Sequence, residues 1–248
     1  MTATTLEAPA PASAKPIGTA VRFPKSPPVA QPKRPLRIWF VYGRTPLPMR
    51  RADQMTVAHL LAFLKARGHQ VDFFYIDTGG EAEAEDRAWI AEQTRRAEAF
   101  RFDLLSAVRG LVRILTRLTP VQVGLFSHPQ QIAAVRHAVE KGKYDILYTY
   151  YFRSAEITKD LGFPTGAAKT KRGGRPASFL AFQLSQTLNA RRIAKNAPDL
   201  LHKLFYEMES RLVERYEARI WRYFTRSVLI GRSDVDEIRE ACRRHGQP

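Results

Sequence analysis

Three sets of side chains in this sequence have types and spacings that could do chemistry. Arg50, Arg51 and Asp53 share one loop, Arg153 follows a run of tyrosines and a phenylalanine, and Ser185, Asn189 and Arg192 are spaced four and three apart. The last spacing puts all three residues on one face of a helix. Guanidinium groups grip phosphate or carboxylate through paired hydrogen bonds, and the first turn of a helix offers free N–H groups to an anion. These sets therefore point to binding of an anionic or sugar ligand, with no catalytic residue identified. The plainer alternatives are a surface salt bridge for Arg153 and, for Ser185, an N-cap serine followed by an ordinary polar face. A basic stretch, Gly162–Arg175, carries Lys169, Lys171, Arg172 and Arg175 among glycines and can close on an anion or simply be solvated. No metal site is expected: the six histidines are scattered and pair with no cysteine cluster. Phosphate-loop, GxGxxG and GxSxG patterns are absent.

These residues lie at the ends of short apolar runs. LRIWFVY (Leu36–Tyr42) and VDFFYI (Val71–Ile76) are too short for helices and read as buried strands. Between them Val57, Leu60, Leu61 and Leu64 recur at helical spacing, and Gly68 stands where a helix C-cap glycine belongs. Strand, helix and strand make a right-handed βαβ unit with parallel strands. Further strands are expected at Tyr144–Tyr150, Phe179–Leu184 and Ser227–Gly231. Ser127 is expected to cap the helix that runs to Lys141, and Ser233–Asp236 to form a capping box for a last helix. The alternation predicts an α/β, Rossmann-like parallel-sheet sandwich over residues 36–248. Ligands of such sheets sit at the carboxyl ends of strands, which makes the Gly43–Gln54 loop the first candidate.

Residues 1–35 hold half of the prolines and little apolar surface, so a disordered Pro/Ala-rich tail is expected. The chain carries a formal charge of +16 over 248 residues, which calls for an anionic partner or else a merely soluble basic surface. A single cysteine, Cys242, fits a reducing compartment. No apolar run approaches the roughly 20 residues that span a bilayer, and no signal peptide is apparent. A cytoplasmic protein is expected.

Phe100, Leu104, Val108, Leu111, Leu115 and Leu118 form an apolar stripe at helical spacing, with Arg101, Arg109, Arg113 and Arg117 off it. Such a helix can lie in an anionic membrane interface through Arg109, Arg113 and Arg117. The favoured arrangement packs the stripe against the sheet and leaves the arginines in water. A long helix over Pro198–Phe224 has its own stripe through Leu201, Leu204, Phe205, Met208, Leu212, Tyr216 and Ile220, with Glu217 on its outer side.

Several of these segments resemble glycosyltransferase family 4 enzymes of the GT-B fold, in particular sugar transferases of bacterial exopolysaccharide clusters. The resemblance runs through Pro46, Pro48, His59–Leu61 and Arg67–Val71, then Pro120–Val123, Asp145–Tyr148, the Phe152–Arg153 pair, Ser185/Asn189/Arg192 and Tyr216–Glu217. Met49–Asp53 replaces the family's glycine pair, and Tyr148, Tyr150 and Tyr151 stand where relatives often place a histidine. Gln183 and Gln186 stand near the place of the family's aspartates.

The resemblance implies the amino-terminal, acceptor-side half of a GT-B enzyme. Such an enzyme moves sugar from a nucleotide-sugar donor to a lipid- or saccharide-linked acceptor in surface polysaccharide synthesis. It needs no cofactor beyond the donor, which a carboxy-terminal domain or separate chain with paired glutamates would hold. No such segment follows Pro248 in this sequence, so the chain alone is expected to be inactive. Its site candidates are Arg50, Arg51, Asp53, Arg153, Ser185, Asn189 and Arg192, and its place is peripheral, at the inner face of the membrane. The other class of reading is a non-catalytic basic module docking anionic membrane or nucleic acid, with nucleic acid the less favoured partner.

Overall fold

The structure is a computed structural model that describes residues 34–77, 83–141, 144–159 and 176–247. The basic stretch 162–175 and nearly all of the expected tail lie outside the described residues. Arg34, assigned to the tail by sequence, instead pairs with Asp145.

Six strands form one all-parallel sheet in the order β3-β2-β1-β4-β5-β6. They are β1 (Arg37–Tyr42), β2 (Gln70–Asp77), β3 (Arg96–Arg101), β4 (Ile146–Tyr150), β5 (Ala177–Gln183) and β6 (Arg226–Leu229). Central parallel strands are covered on both faces and so read as unbroken apolar runs. In β1, Phe40 and Tyr42 face one layer with Phe73 and Tyr75 of β2, against helices α1 (Ala52–Ala66) and α2 (Ala84–Gln93). Trp39 and Val41 face the opposite layer with Phe74 and Leu147. Gly68, just past α1, has φ +75°, a conformation suited to a C-cap glycine.

β3 was not expected. Its sequence RAEAFR is short, largely exposed and poor in β-branched residues, as an edge strand often is. Phe100 belongs to it, with its ring 5.4 Å from that of Phe74. Helix α3 therefore starts later, at Leu104–Arg117, and Asp103 caps it by accepting the Ser106 N–H at 2.7 Å.

The apolar stripe of α3 does not pack against the sheet. Leu104 is 81% exposed and Leu115 69%, while Ser106 and Gly110 turn inward. The reason is a close approach to α4 (Val121–Leu125). A Cβ on Gly110 would lie 2.9 Å from the Gly124 carbonyl oxygen, so the small face is the one that fits. Pro120 is the N-cap of α4, and α3 is closed by its C-cap Leu118, whose φ is +49°.

Two expected caps also differ. The Ser127 hydroxyl donates to the Val123 carbonyl at 2.6 Å, and the next helix, α5, is Pro129–Lys141. After β4 come a 3₁₀ turn, Phe152–Ser154, and α6 (Ala155–Lys159). After β5 come α7 (Gln186–Lys195), α8 (Leu200–Ile220) and, beyond β6, α9 (Arg232–Arg244). Helix α9 starts from Gly231 with no side-chain cap, because Asp234 is engaged elsewhere. No helix among the described residues is long and apolar enough to cross a membrane.

Candidate functional site

The strand order reverses between β1 and β4: β1 leads outward to β2 and β3 on one side, and β4 to β5 and β6 on the other. At such a switch point the two following loops diverge and leave a crevice outside the carboxyl ends of the strands. Here it is lined by the loop from Gly43 to Arg51 after β1, by the first turn of α1, where Asp53 and Gln54 lie instead of in the loop the sequence suggested, and by Tyr151–Ser154 after β4.

The two loops touch through a glycine. A Cβ on Gly43 would lie 2.9 Å from Ser154 Oγ and 3.1 Å from Arg153 Cγ, so a side chain there would require the Ser154 and Arg153 side chains to shift. Tyr151 has φ +74° and Gln183, at the end of β5, +73°. Non-glycine residues in this region carry a backbone cost of order 1–3 kcal/mol and cluster at functional sites. The left-handed turn at Tyr151 redirects the chain so that Arg153 lies over two rings, 4.9 Å from Phe126 and 4.5 Å from Tyr151.

Arg44, on the facing loop, lies 3.7 Å from Asp53, the carboxylate that also accepts the Tyr42 hydroxyl at 2.8 Å. Arg44 is thus the ion-pair partner of Asp53, and Arg153 lies near enough to feel the charge of both. Burial first, then the like charge of Arg44, lowers the pKa of Arg153. Burial, followed by Asp53, raises that of Tyr42. Arg153 Nε and Ser154 Oγ are buried and have no hydrogen-bond partner among the described residues. Buried donors are normally satisfied, and both would be satisfied by an anion's oxygens.

A groove of about 220 Å³ adjoins this cluster. Leu125 and Phe126 of α4, Ala190 and Ile193 of α7 and Phe205 of α8 line it. Phe126 also underlies Arg153, and Gln186, another wall residue, donates to the Tyr151 hydroxyl at 3.0 Å. Glu209 lies in the wall too, but both its oxygens accept the Val121 N–H. The groove is smaller than the roughly 300–1,000 Å³ of a whole small-molecule site, so it would take one part of a ligand.

Of the residues singled out by sequence, Asp53 and Arg153 come together here. Arg50 and Arg51 are exposed outside the cluster. Arg44 was missed; its signal was its position directly after Gly43 at a strand end. Asn189 lies on the groove wall and Arg192 is exposed.

Ser185 caps α7 by accepting the Leu188 N–H, the plainer of the two sequence readings, and the start of that helix is already occupied. Glu217, which the sequence placed on the outside of α8, is fully buried. It accepts from the Gln186 N–H (2.7 Å), the Thr187 N–H (3.3 Å), the Thr187 hydroxyl (2.6 Å) and the Ser185 hydroxyl (3.1 Å). Asp234 takes the Ser185 N–H at 2.8 Å. An internal carboxylate thus holds the place that an external anion would take. Among the described residues, no group of three or more His, Cys, Asp or Glu could hold a metal ion.

No protein-family model matches this chain, and no curated protein matches it. A solved complex of a UDP-glucosyltransferase from Polygonum tinctorium, capable of glucosylating indoxyl, with 3,4-dichloroaniline is similar to it. The similarity has a TM-score of 0.42 at 11% identity, covering 86% of this chain and 50% of that one. The chain therefore spans about half the length of that enzyme, and a likeness this distant assigns no function.

Burial pushes the Glu217 carboxyl up to about 7, against its four donors, from an ordinary value of 4.5. The folded state therefore holds this proton more tightly than the unfolded one. The resulting stability is fully present below about pH 4.5 and is lost as pH rises through about 7. Urea unfolding at intervals from pH 4.5 to 8 is expected to show this decline, and Glu217→Gln to flatten it. An unchanged slope in the variant would mean that Glu217 ionises normally.

Proposed function

We propose that this chain is the acceptor-side half of a GT-B glycosyltransferase whose acceptor joins an anionic group to an apolar body. The observation that carries the reading is Arg153, which lies over Tyr151 and over Phe126, the latter also a wall of the apolar groove. Phe152–Arg153 is one of the segments that resemble the exopolysaccharide transferases. A phosphate on Arg153 would leave the attached chain to run along Phe126 towards Phe205 and Ile193, which are exposed at the groove's outer side. A lipid-linked acceptor has this composition; a free saccharide does not. The nucleotide-sugar donor would be held by a second domain or chain, facing the same carboxyl ends of the sheet.

Such an acceptor lives in a membrane, and two exposed faces suit contact with one. Leu104, Leu111 and Leu115 of α3 are exposed beside Arg109 and Arg117, and Leu200, Leu201 and Leu204 are exposed at the start of α8. Scattered exposed leucines are ordinary on a soluble surface; a contiguous apolar helix face is not. Each arginine near an anionic surface adds about 1 kcal/mol. The protein would sit at the inner face of the cell membrane, where lipid-linked intermediates of surface polysaccharide are assembled.

Calorimetric titration with octyl phosphate, octanol and inorganic phosphate tests the site. Octyl phosphate is expected to bind best, and Arg153→Gln and Phe205→Asp each to weaken it about tenfold or more, since hydrogen bonds to charged groups contribute about 1.5–3 kcal/mol. Octanol binding as tightly as octyl phosphate, or indifference to Arg153→Gln, would sink the proposal. For the membrane face, Leu111→Asp/Leu115→Asp is expected to abolish co-sedimentation with phosphatidylserine-containing vesicles; undiminished binding would exclude α3 as the contact.

A further inference from the structure

A second cationic cleft, of about 250 Å³, opens between the end of α3, the end of α6 and the middle of α8. Arg117, Lys159, Arg215 and Arg219 line it, and no carboxylate does. Lys159 is satisfied: it bonds Glu156 at 2.8 Å, and its ammonium lies 5.6 Å from the centre of the Tyr223 ring. Glu156 is buried beneath, where it also accepts the Tyr216 hydroxyl at 2.9 Å. Arg117, Arg215 and Arg219 have no ion-pair partner among the described residues.

Lys203 and Arg211 of α8 likewise make no ion pair among the described residues, but they lie outside the cleft. Around the same helix, Arg191 and Arg244 are tied to Glu214 and Glu237, and Arg244 also lies 3.6 Å from Glu240. Arg215 and Arg219 stand four apart on one helix face, an arrangement of like charges that destabilises a helix instead of supporting it. Arg117 closes on them from α3 because Leu118, at φ +49°, turns the chain into the cleft wall. That turn also brings Thr119 into the cleft wall, and its hydroxyl is buried with no hydrogen-bond partner among the described residues. Three guanidinium groups without ion pairs and one unpaired buried hydroxyl surround a small open volume, and the carboxylate beneath it, Glu156, is engaged at one oxygen by Lys159 and Tyr216 and unpaired at the other.

We infer that this cleft is a phosphate-binding site, separate from the crevice at Arg153, that takes a phosphomonoester or diphosphate group. Guanidinium forks match phosphate oxygens in pairs, and the Thr119 hydroxyl supplies a further donor. The phosphate has two possible sources, the headgroup of an anionic lipid or a soluble phosphate compound. Leu118, which is exposed at the cleft edge and continues the apolar face of α3, gives a lipid headgroup a route in.

The test uses pyrophosphate in solution and phosphatidylcholine vesicles with and without phosphatidic acid. Both are run with wild-type and Arg153→Gln protein so that the two sites are counted separately. In the Arg153→Gln protein, Arg215→Gln/Arg219→Gln is expected to weaken pyrophosphate binding at least tenfold and Thr119→Val a few-fold. Arg67→Gln/Arg232→Gln, which removes the same charge from exposed positions elsewhere, is expected to change it less than twofold. Selective loss with pyrophosphate alone identifies a soluble source; selective loss with phosphatidic acid vesicles identifies a lipid headgroup. No binding in either arm, or equal loss from the cleft and control pairs, overturns the site and leaves only diffuse positive charge.

Discussion

The contact between the end of β1 and the end of β4 is the constraint on which the rest of this structure's functional surface depends. Both strands are central, so their carboxyl ends are fixed by the sheet and their loops must pass each other at close range. Gly43 is what lets them pass: it lies against Ser154 and the stem of Arg153, where a single methyl group would collide. With the loops in contact, Arg153 is packed against the crevice wall and not spread into water like an ordinary surface arginine. It lies over two aromatic rings, near Arg44 and the carboxylate that Arg44 pairs with, Asp53. The cost of keeping two cations close would fall if an anion entered, which is the basis of the proposed acceptor site.

The start of α7 shows the opposite arrangement in the neighbouring loop. Helix beginnings expose N–H groups and attract anions, and this one has recruited Glu217 from α8 to occupy it. The internal carboxylate fastens α7 to α8, so Gln186 is held in position to support Tyr151. One carboxyl-end loop is closed by the protein's own charge, and the next is left with donors to spare. That difference directs attention to Arg153.

The sequence carried five of the six strands because buried parallel strands are apolar on both faces, and runs such as RIWFVY and YDILYTY leave little other reading. The alternation of these runs with helices was enough for the α/β parallel-sheet class. β3 escaped notice because an edge strand needs no apolar run, and its Phe100 happened to fit the helical spacing of the leucines that follow. The exposed face of α3 was misjudged for a related reason. Periodicity locates an apolar stripe, but Gly110 and Gly124, not the leucines, decide which side of α3 meets α4. Among site residues, Arg153 and Asp53 were legible from their positions, one beyond a strand end and one just past the first loop. Arg44 was overshadowed by the Arg50–Arg51 pair, since nothing in a linear sequence says which of three nearby arginines turns inward. Glu217, 31 residues beyond Gln186, is a long-range partner that no local pattern announces.

If the crevice at the β1–β4 switch is where an anionic acceptor group is held, its position can be seen directly. The decisive measurement is a crystal structure of this protein with octyl phosphate. The account predicts phosphate oxygens within hydrogen-bond distance of the Arg153 guanidinium and the Ser154 hydroxyl, with the alkyl chain along Phe126. Phosphate bound away from Arg153, or a chain lying outside the groove, would contradict it.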